Sequence, residues 1–253
     1  MYFDWRYTHF VAEDLFVNVI VHDTCMFGFY QNPYVSFCIW YNGKIQHQRF
    51  EFSTDQYTEI KQSICRIGSN KQFGLSLGEL TIAGELTKKY VAPTMNYQIY
   101  KTSDYDISHW DIVTAHAIFT GQITYAGYTV PCEAVVYQDH QYGSLPVQMF
   151  LDKWIWRVES SPLYTNCCFS FSFQNGEKKT ISWRIDDSGF SHSSSEQFEQ
   201  GIYDSLFSSP EYICLRTRKA EEYEFFILNY SRYLSRNDSS THTVSECMSI
   251  ERR

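Results

Sequence analysis

The sequence predicts an all-β protein of antiparallel sheets forming one or two barrels, on three observations. Aromatic residues make up 18% of the chain, and tyrosine and phenylalanine favour strands and line apolar pockets. Short apolar or alternating segments recur with turn signals between them, and no long helical pattern is present. No repeat of fixed period occurs, which excludes propellers and solenoids.

The first third of the chain predicts two apolar strands and a hairpin. Residues 15–21 and 34–41 are apolar runs of strand length. Asn42-Gly43 then predicts a two-residue turn into residues 44–52, because both residue types tolerate the positive φ that this turn requires.

An irregular stretch and a glycine-interrupted strand come next. Residues 53–66 are less β-like and predict a helical turn or a loop, with Tyr57 and Ile60 packed inward. Residues 73–86 predict one weakly alternating strand, and glycines inside a strand indicate the bulges or sharp bends of a closing barrel. These glycines are Gly74, Gly78 and Gly84.

A short strand at residues 97–100 precedes a long hairpin. The arms of the hairpin are residues 112–124 and 128–137, and its turn lies at Ala126-Gly127.

Further strands follow a break in the pattern at residues 143–146. Phe169, Phe171 and Phe173 alternate with serine, which is typical of a half-buried strand. Residues 191–200 predict a polar loop, and the polar, charged residues 235–253 predict a disordered tail. The strands predicted in this half are residues 149–158, 163–173 and 180–185, and a final hairpin of residues 212–217 and 222–230.

Composition narrows the possible partners. The net charge of −8 and the lack of a basic stripe argue against nucleic acids and anionic membrane surfaces. No apolar run reaches the roughly 20 residues of a membrane-spanning helix, and no secretory signal is visible, so we expect a cytoplasmic protein with reduced cysteines. The cysteines form no CxxC pair and the histidines no HExxH motif, so no metal site is expected.

The segment from Tyr137 to Gly143 carries the strongest chemical signal. An acid and an imidazole, Asp139 and His140, lie side by side at the end of an apolar run, and Trp154 and Trp156 share one face of the next strand. Proton-handling groups beside an aromatic wall are typical of a site for a hydrophobic, reactive small molecule.

These motifs resemble those of the carotenoid-hydratase-like lipocalin family. That family has a glycine-containing hairpin, an apolar strand, Asp-His-(Gln/Asn)-Trp-Gly, a proline-containing linker and a Trp-x-Trp strand, in this order. The resemblance covers residues 1–190 in patches. The matching residues here are Tyr2-Phe3-Asp4-Trp5, Thr120-Gly121, Tyr125-Ala126-Gly127, Ala134-Val135-Val136-Tyr137, Asp139-His140-Gln141-Tyr142-Gly143, Pro146 and Trp154-Ile155-Trp156.

The resemblance implies two packed lipocalin-like β domains with a ligand between or inside them. With the pattern break as boundary, the domains are residues 1–145 and 146–234. Known activities of the family are water addition to carotenoid double bonds and cyclisation of linear polyenes, including Diels–Alder reactions. Two departures matter here. Tyr142 replaces the motif tryptophan and adds a phenol, and residues 166–170 lack the acid that hydratases carry in a Tyr-x-Asp pair.

Two interpretations of the candidate site stay open. On a regular strand adjacent residues face opposite sides, so only one of Asp139 and His140 enters a given cavity. Either His140 faces the ligand with Asp139 in support, or Asp139 pins a loop, His140 bonds a backbone carbonyl and the aromatic residues are core. The candidate catalytic residues are His140, Asp139 and Tyr142, and the candidate substrate-binding residues are Trp154, Trp156, Trp40, Tyr34, Met149 and Gln141.

The favoured hypothesis is a natural-product cyclase that needs no cofactor. It folds a polyunsaturated substrate of polyketide or isoprenoid type in an aromatic pocket and closes a ring, with Diels–Alder cycloaddition favoured. One alternative is a hydratase or double-bond isomerase with Asp139 and His140 as acid and base. The other is a lipocalin-like carrier of a hydrophobic metabolite without catalytic activity.

Overall fold

The computed structural model describes residues 3–12, 15–22, 33–41, 44–53, 55–59, 72–88, 90, 92–101, 106–145, 149–192, 212–216, 222–234 and 241–251. Its strands are β1 (Phe3–Ala12), β2 (Leu15–His22), β3 (Tyr34–Tyr41), β4 (Lys44–Glu51), β5 (Gln72–Leu77), β6 (Leu80–Lys88), β7 (Met95–Lys101), β8 (Asp106–Tyr125), β9 (Tyr128–Gly143), β10 (Leu151–Ser161), β11 (Tyr164–Phe173), β12 (Lys178–Asp186), β13 (Gly189–His192), β14 (Tyr212–Arg216), β15 (Glu222–Leu234) and β16 (Thr241–Glu251). The predicted all-β fold class is thereby confirmed.

The largest sheet is antiparallel and curls into a half-barrel. Its order is β4-β3-β2-β1-β9-β8-β6-β5, and β7 also pairs with β8. Curling brings distant strands together, since the ring centroids of Phe10 on β1 and Phe73 on β5 lie 5.2 Å apart. The Gln48 amide on β4 likewise donates to the Tyr125 hydroxyl at the end of β8, at 3.3 Å. The inner face therefore encloses its own apolar core.

Alternation along the strands builds this inner core. Alternate residues of β1, β2, β3 and β9 point inward, as the two-residue period of a strand requires. The inner core consists of Phe10, Leu15, Val17, Val19, Val21, Val35, Phe37, Ile39, Tyr57, Phe73, Leu75, Leu77, Leu80, Ile82, Leu86, Ala117, Phe119, Ile123, Ala134 and Val136.

A second sheet, in the order β10-β11-β12-β13, packs on the outer face of β1, β8 and β9. The predicted alternation of β11 is confirmed, because Phe169, Phe171 and Phe173 are all buried while the serines between them are partly exposed. His9 on β1 hydrogen-bonds Ser160 on β10 at 2.9 Å, and this contact ties the sheets together. The apolar and aromatic layer between the two sheets is called the inter-sheet core below.

Most predicted strands are confirmed, but residues 73–86 differ from the prediction. Residues 73–86 form a hairpin, β5 and β6, rather than a single bent strand. The chain reverses at Gly78, whose φ of +57° is readily adopted by glycine. The helical turn predicted after residue 53 is present at residues 55–59, and Tyr57 is buried as expected. Asn42-Gly43 and Ile60 lie outside the described residues.

The C-terminal segment also differs from expectation. The hairpin of β14 and β15 is confirmed. The residues predicted to be a disordered tail instead include β16, which pairs with β15. A polar segment can form a strand whenever a neighbouring strand satisfies its backbone groups. The predicted polar loop at residues 191–200 begins inside β13, and its remainder lies outside the described residues. The domain division at residue 145 stays a prediction.

No helix among the described residues is long and apolar enough to cross a membrane.

Two glycines let β6 and β8 approach closely. Gly84 and Gly121 lie opposite each other across the strand pair. A Cβ atom on Gly84 would lie 2.5 Å from the Thr120 carbonyl oxygen and 2.7 Å from the Phe119 ring. The inner core therefore has no room for a larger residue at this pair.

Gly84→Ala is therefore expected to destabilise the protein by about 1–3 kcal/mol, the usual cost of overpacking. Gly74→Ala is the matched control, since a Cβ atom on Gly74 of β5 would meet no atom within 4 Å. Urea unfolding measures both. Equal stabilities of the two variants would contradict the packing argument.

Candidate functional site

Strand β9 places the residues of the predicted motif on two different faces. In its pairing with β1, Asp139 lies opposite Tyr7 and His140 lies opposite Arg6. Asp139 is buried in the inter-sheet core, at 2% exposure, whereas His140 points to the inner face of the half-barrel. The two side chains therefore cannot act on one atom of a substrate.

Only one of the two carboxyl oxygens of Asp139 accepts hydrogen bonds from the described residues. Its Oδ2 atom accepts hydrogen bonds from the Tyr137 hydroxyl at 2.8 Å and from the Trp110 indole N–H at 3.0 Å. Its Oδ1 atom is buried and has no hydrogen-bond partner among the described residues. A buried oxygen without a partner carries a desolvation cost, so Oδ1 retains unused hydrogen-bonding capacity inside the inter-sheet core.

Burial raises the pKa of Asp139 to about 7, although the hydrogen bonds from Tyr137 and Trp110 favour the charged form. A substantial fraction of this carboxyl group is thus protonated at neutral pH. Because Oδ2 already receives two donors, the proton belongs on Oδ1. From there it can be donated to a ligand in the inter-sheet core.

Neighbouring titratable groups are held neutral. Burial, followed by the charge of Asp139, raises the pKa of Tyr137 and of Cys167 well above their usual ranges. Tyr137 therefore stays a hydrogen-bond donor, and the Cys167 thiol does not supply a thiolate nucleophile. Asp139 is the group of this trio that changes protonation near neutral pH.

Aromatic rings surround the acid. Trp156 meets Tyr7 edge to face with centroids 4.7 Å apart. Trp110 meets Phe169 in the same way at 4.9 Å, and Trp183 stacks on Tyr137 at 6.2 Å. The environment of Asp139 is thus an aromatic wall, with contributions from both sheets.

A small cavity lies in the same inter-sheet core. It has a volume of about 20 Å³, enough for about one water molecule. Its polar edge is formed by Gln141 and Ser108, and the predicted binding residue Trp154 lines it as well. The other lining residues are Phe3, Trp5, Ile99, Leu151, Phe169 and Phe171.

The inner face holds the other half of the motif. The His140 Nε2 atom lies 3.0 Å from Oδ1 of buried Asp4, and Arg6 Nε lies 3.6 Å from the same oxygen. The Tyr142 ring lies between two imidazoles, with centroids 4.7 Å from His140 and 5.1 Å from His109. His140 therefore pairs with a carboxylate rather than with the backbone carbonyl considered from the sequence.

Three predicted binding residues lie away from the cavity. Tyr34 on β3 is buried between the His22 ring, at 4.2 Å, and the Arg49 guanidinium group, at 3.7 Å. Tyr34 begins β3, and Trp40 lies next to the last residue of that strand. Met149 is 60% exposed because Phe150 turns inward in its place. The structure thus does not bring these three residues to Asp139.

Sequence reasoning missed Trp110, Tyr137 and Cys167 as parts of the site. Tyr137 had a usable signal, since it lies two residues before Asp139 and therefore on the same face of β9. Trp110 was not identified because the strand was predicted to begin at residue 112, whereas β8 begins at Asp106, six residues earlier. Cys167 gave no signal beyond that of a small buried residue.

Within the described part of the chain, no group of three histidine, cysteine, aspartate or glutamate side chains could hold a metal ion.

No protein-family model matches the sequence, and no match was found among curated proteins. Among solved structures, the chain is similar to a provisionally named AttH protein from Nitrosomonas europaea. That similarity has a TM-score of 0.56 and 13% identity, and covers 98% of this chain and 90% of the other. The structure of CghA matches with a TM-score of 0.49 and 10% identity over 96% and 81% of the chains, which is too weak to support a conclusion.

The first similarity supports the predicted lipocalin-like fold and, at this identity, nothing beyond the fold. The relation to carotenoid hydratases stays a prediction.

Asp139 is expected to give the stability of the protein a specific pH dependence. Its folded-state pKa of about 7 lies above the ordinary value of 3.8. Its protonated form thus stabilises the fold fully below 3.8, and this contribution is lost as the pH rises through 7. The free energy of unfolding of the wild type should therefore fall, relative to Asp139→Asn, as the pH rises from 3.8 to about 7, and level off at higher pH, in urea titrations.

Asp186→Asn is the control for this measurement. Hydrogen bonds from Ser188 and Arg184 lower the pKa of Asp186 to about 2, so its contribution is lost only in stronger acid. Parallel wild-type and Asp139→Asn curves would show that Asp139 is ionised in the folded protein.

Proposed function

We propose that the protein is an enzyme, needing no cofactor, that binds a hydrophobic polyunsaturated molecule between its two sheets and closes a ring. The substrate is of polyketide or isoprenoid type, and cycloaddition of the Diels–Alder kind is the favoured reaction. The observation that carries this proposal is the buried Asp139 carboxyl group, with a pKa of about 7 and one oxygen free within an aromatic wall.

Asp139 polarises the substrate. In its neutral form the Oδ1 hydroxyl donates a hydrogen bond to a carbonyl oxygen conjugated with the reacting double bond. Withdrawal of electron density activates that double bond toward a diene. A donor placed in a dry site is worth about 10²–10³ in rate, and Tyr137 and Trp110 hold the carboxyl group in orientation through Oδ2.

The aromatic wall supplies orientation. A linear polyene must coil before its ends can react, and holding it in one conformer lowers the barrier by up to several kcal/mol. The rings of Trp156, Tyr7 and Phe169 offer flat apolar surfaces suited to conjugated chains.

Access requires side-chain movement, because the cavity has room for about one water molecule. Strand β10 is an edge strand of the second sheet. Its residues Trp154 and Trp156 are only partly buried. Displacement of these two indoles would enlarge the space between the sheets when the substrate binds.

A double-bond isomerase or hydratase is the second candidate, favoured by the same raised pKa of the buried Asp139 carboxyl group. Asp139 would then transfer its proton to an alkene. Its carboxylate would take a proton back either from the resulting carbocation, which shifts the double bond, or from the water that adds to that carbocation. His140 lies on the other face of β9, so in this candidate reaction Asp139 serves as both acid and base.

Two substitutions of Asp139 separate these reactions. Asp139→Asn keeps a hydrogen-bond donor but cannot transfer a proton, whereas Asp139→Leu removes both functions. If Asp139 acts by polarisation, the rate of ring closure should be partly retained in Asp139→Asn and lowered about 10²–10³-fold in Asp139→Leu. If Asp139 acts by proton transfer, the reaction rate should be lowered about 10²–10⁴-fold in both variants. Mass spectrometry of hydrophobic metabolite extracts incubated with the protein gives the readout.

The mass of the product completes this test. A product of unchanged mass supports cyclisation or isomerisation, and a product heavier by one water indicates hydration. His140→Gln is the matched control on the opposite face and should retain activity. Bound metabolites that are released unchanged by the wild type would overturn catalysis in favour of a carrier.

The rate should also depend on pH through Asp139. Because the neutral carboxyl group is the active form, kcat/KM should be constant in mild acid and fall about tenfold per pH unit above 7. Asp139→Asn should show no such decline. A wild-type rate that rises through pH 7 would instead indicate that Asp139 acts as a base.

A further inference from the structure

An open cleft of about 450 Å³ lies at one end of the inter-sheet core, between β7 and the hairpin of β11 and β12. This volume lies in the range of small-molecule sites. The apolar part of its wall is formed by Ile99, Tyr100 and Phe173. Tyr100 is fixed by Phe150 and Phe173, with ring centroids 5.1 and 5.2 Å away.

Three lysines line the same cleft. They are Lys101 at the end of β7 and Lys178 and Lys179 at the start of β12. Within the described part of the chain, Lys101 and Lys178 form no salt bridge, and the Lys179 ammonium group donates to the backbone carbonyl of Gln98. Glu177 is the one acidic residue in the lining.

Among the residues that line the cleft, three lysines face one glutamate, in contrast with the chain as a whole, whose net charge is −8. Three ammonium groups around one concave surface concentrate the field and attract an anion. Glu177 opposes the binding of a multiply charged group, and the acidic remainder of the protein opposes an anionic membrane surface. A single negative charge, such as a carboxylate, fits this balance.

The cleft is continuous with the inter-sheet core. Ile99 lines both the cleft and the 20 Å³ cavity. Phe173 at the cleft stacks on Phe171 at the cavity, with centroids 6.1 Å apart. Beyond the cavity, Phe169 contacts Trp110, which donates to Asp139. A series of contacting apolar side chains therefore connects the lysine-lined cleft with the surroundings of Asp139.

We propose that the cleft binds the carboxylate of an amphipathic molecule, whose apolar chain passes Ile99 and Phe173 into the inter-sheet core. The position of the chain beside Asp139 rests on the proposed function, whereas capture of the carboxylate by the lysines does not. The substrate class is thereby narrowed to polyunsaturated carboxylic acids.

Binding of cis-parinaric acid, a conjugated polyene acid that fluoresces in apolar surroundings, tests this proposal on the full chain. The methyl ester of the same acid keeps the polyene and removes the charge. The acid should bind the wild type more tightly than the ester, and its affinity should fall with added salt. Equal affinities for acid and ester, or no binding of either, would overturn the proposal.

Lysine variants locate the site. The double variant Lys101→Gln, Lys178→Gln should weaken binding of the acid about three- to tenfold, the range for removing two exposed charge contacts, and leave the ester unchanged. Lys44→Gln is the control, since Lys44 is an exposed lysine on the distant strand β4. Equal loss for acid and ester would mean that the variant disturbs the apolar wall, which contradicts carboxylate capture.

Asp139→Asn separates this proposal from the proposed function. It should leave the affinity for the acid unchanged while turnover changes. If the lysine variants weaken acid binding and Asp139→Leu does not alter turnover, the carboxylate site stands and the proposed catalysis fails. If Asp139→Leu abolishes turnover and the lysine variants bind the acid like the wild type, the proposed catalysis stands and the carboxylate site fails.

Discussion

Strand β9 lies between β1 and β8 in the middle of the half-barrel, and both cores of the protein depend on this pairing. Its apolar half faces the inner core through Val136, whereas Tyr137 and Asp139 face the second sheet. Because side chains alternate along a strand, one backbone segment serves two separate environments. A shift of one residue in register would exchange those environments and place the acid in the inner core.

The inter-sheet core contains more polar chemistry than packing requires. Asp139, Tyr137 and Cys167 are all buried there, and burial moves the pKa of each toward the neutral form. An apolar residue of similar size at position 139 would avoid the desolvation cost. Local rules of stability are usually broken at functional sites, so this carboxyl group marks the place where a ligand is expected.

The basic cleft and the buried acid are connected by contacting aromatic side chains, from Phe173 through Phe171 and Phe169 to Trp110. An amphipathic ligand anchored at Lys101 and Lys178 would have its polar end in solvent and its chain among the aromatic rings. Its reactive part would then lie near Asp139. Such an arrangement would separate recognition, which uses charge, from chemistry, which uses a neutral acid in a dry environment.

The sequence by itself determined most of the strands and the alternation of side chains along β9 and β11, because alternation and turn residues are local properties of the chain. It also indicated Asp139 as a candidate. Only the tertiary structure decided that Asp139 rather than His140 lies in the inter-sheet core, since this depends on which face the second sheet covers. The partner Trp110 and the lysine cleft were likewise hidden, because their residues come from separate strands that meet only when the sheets pack.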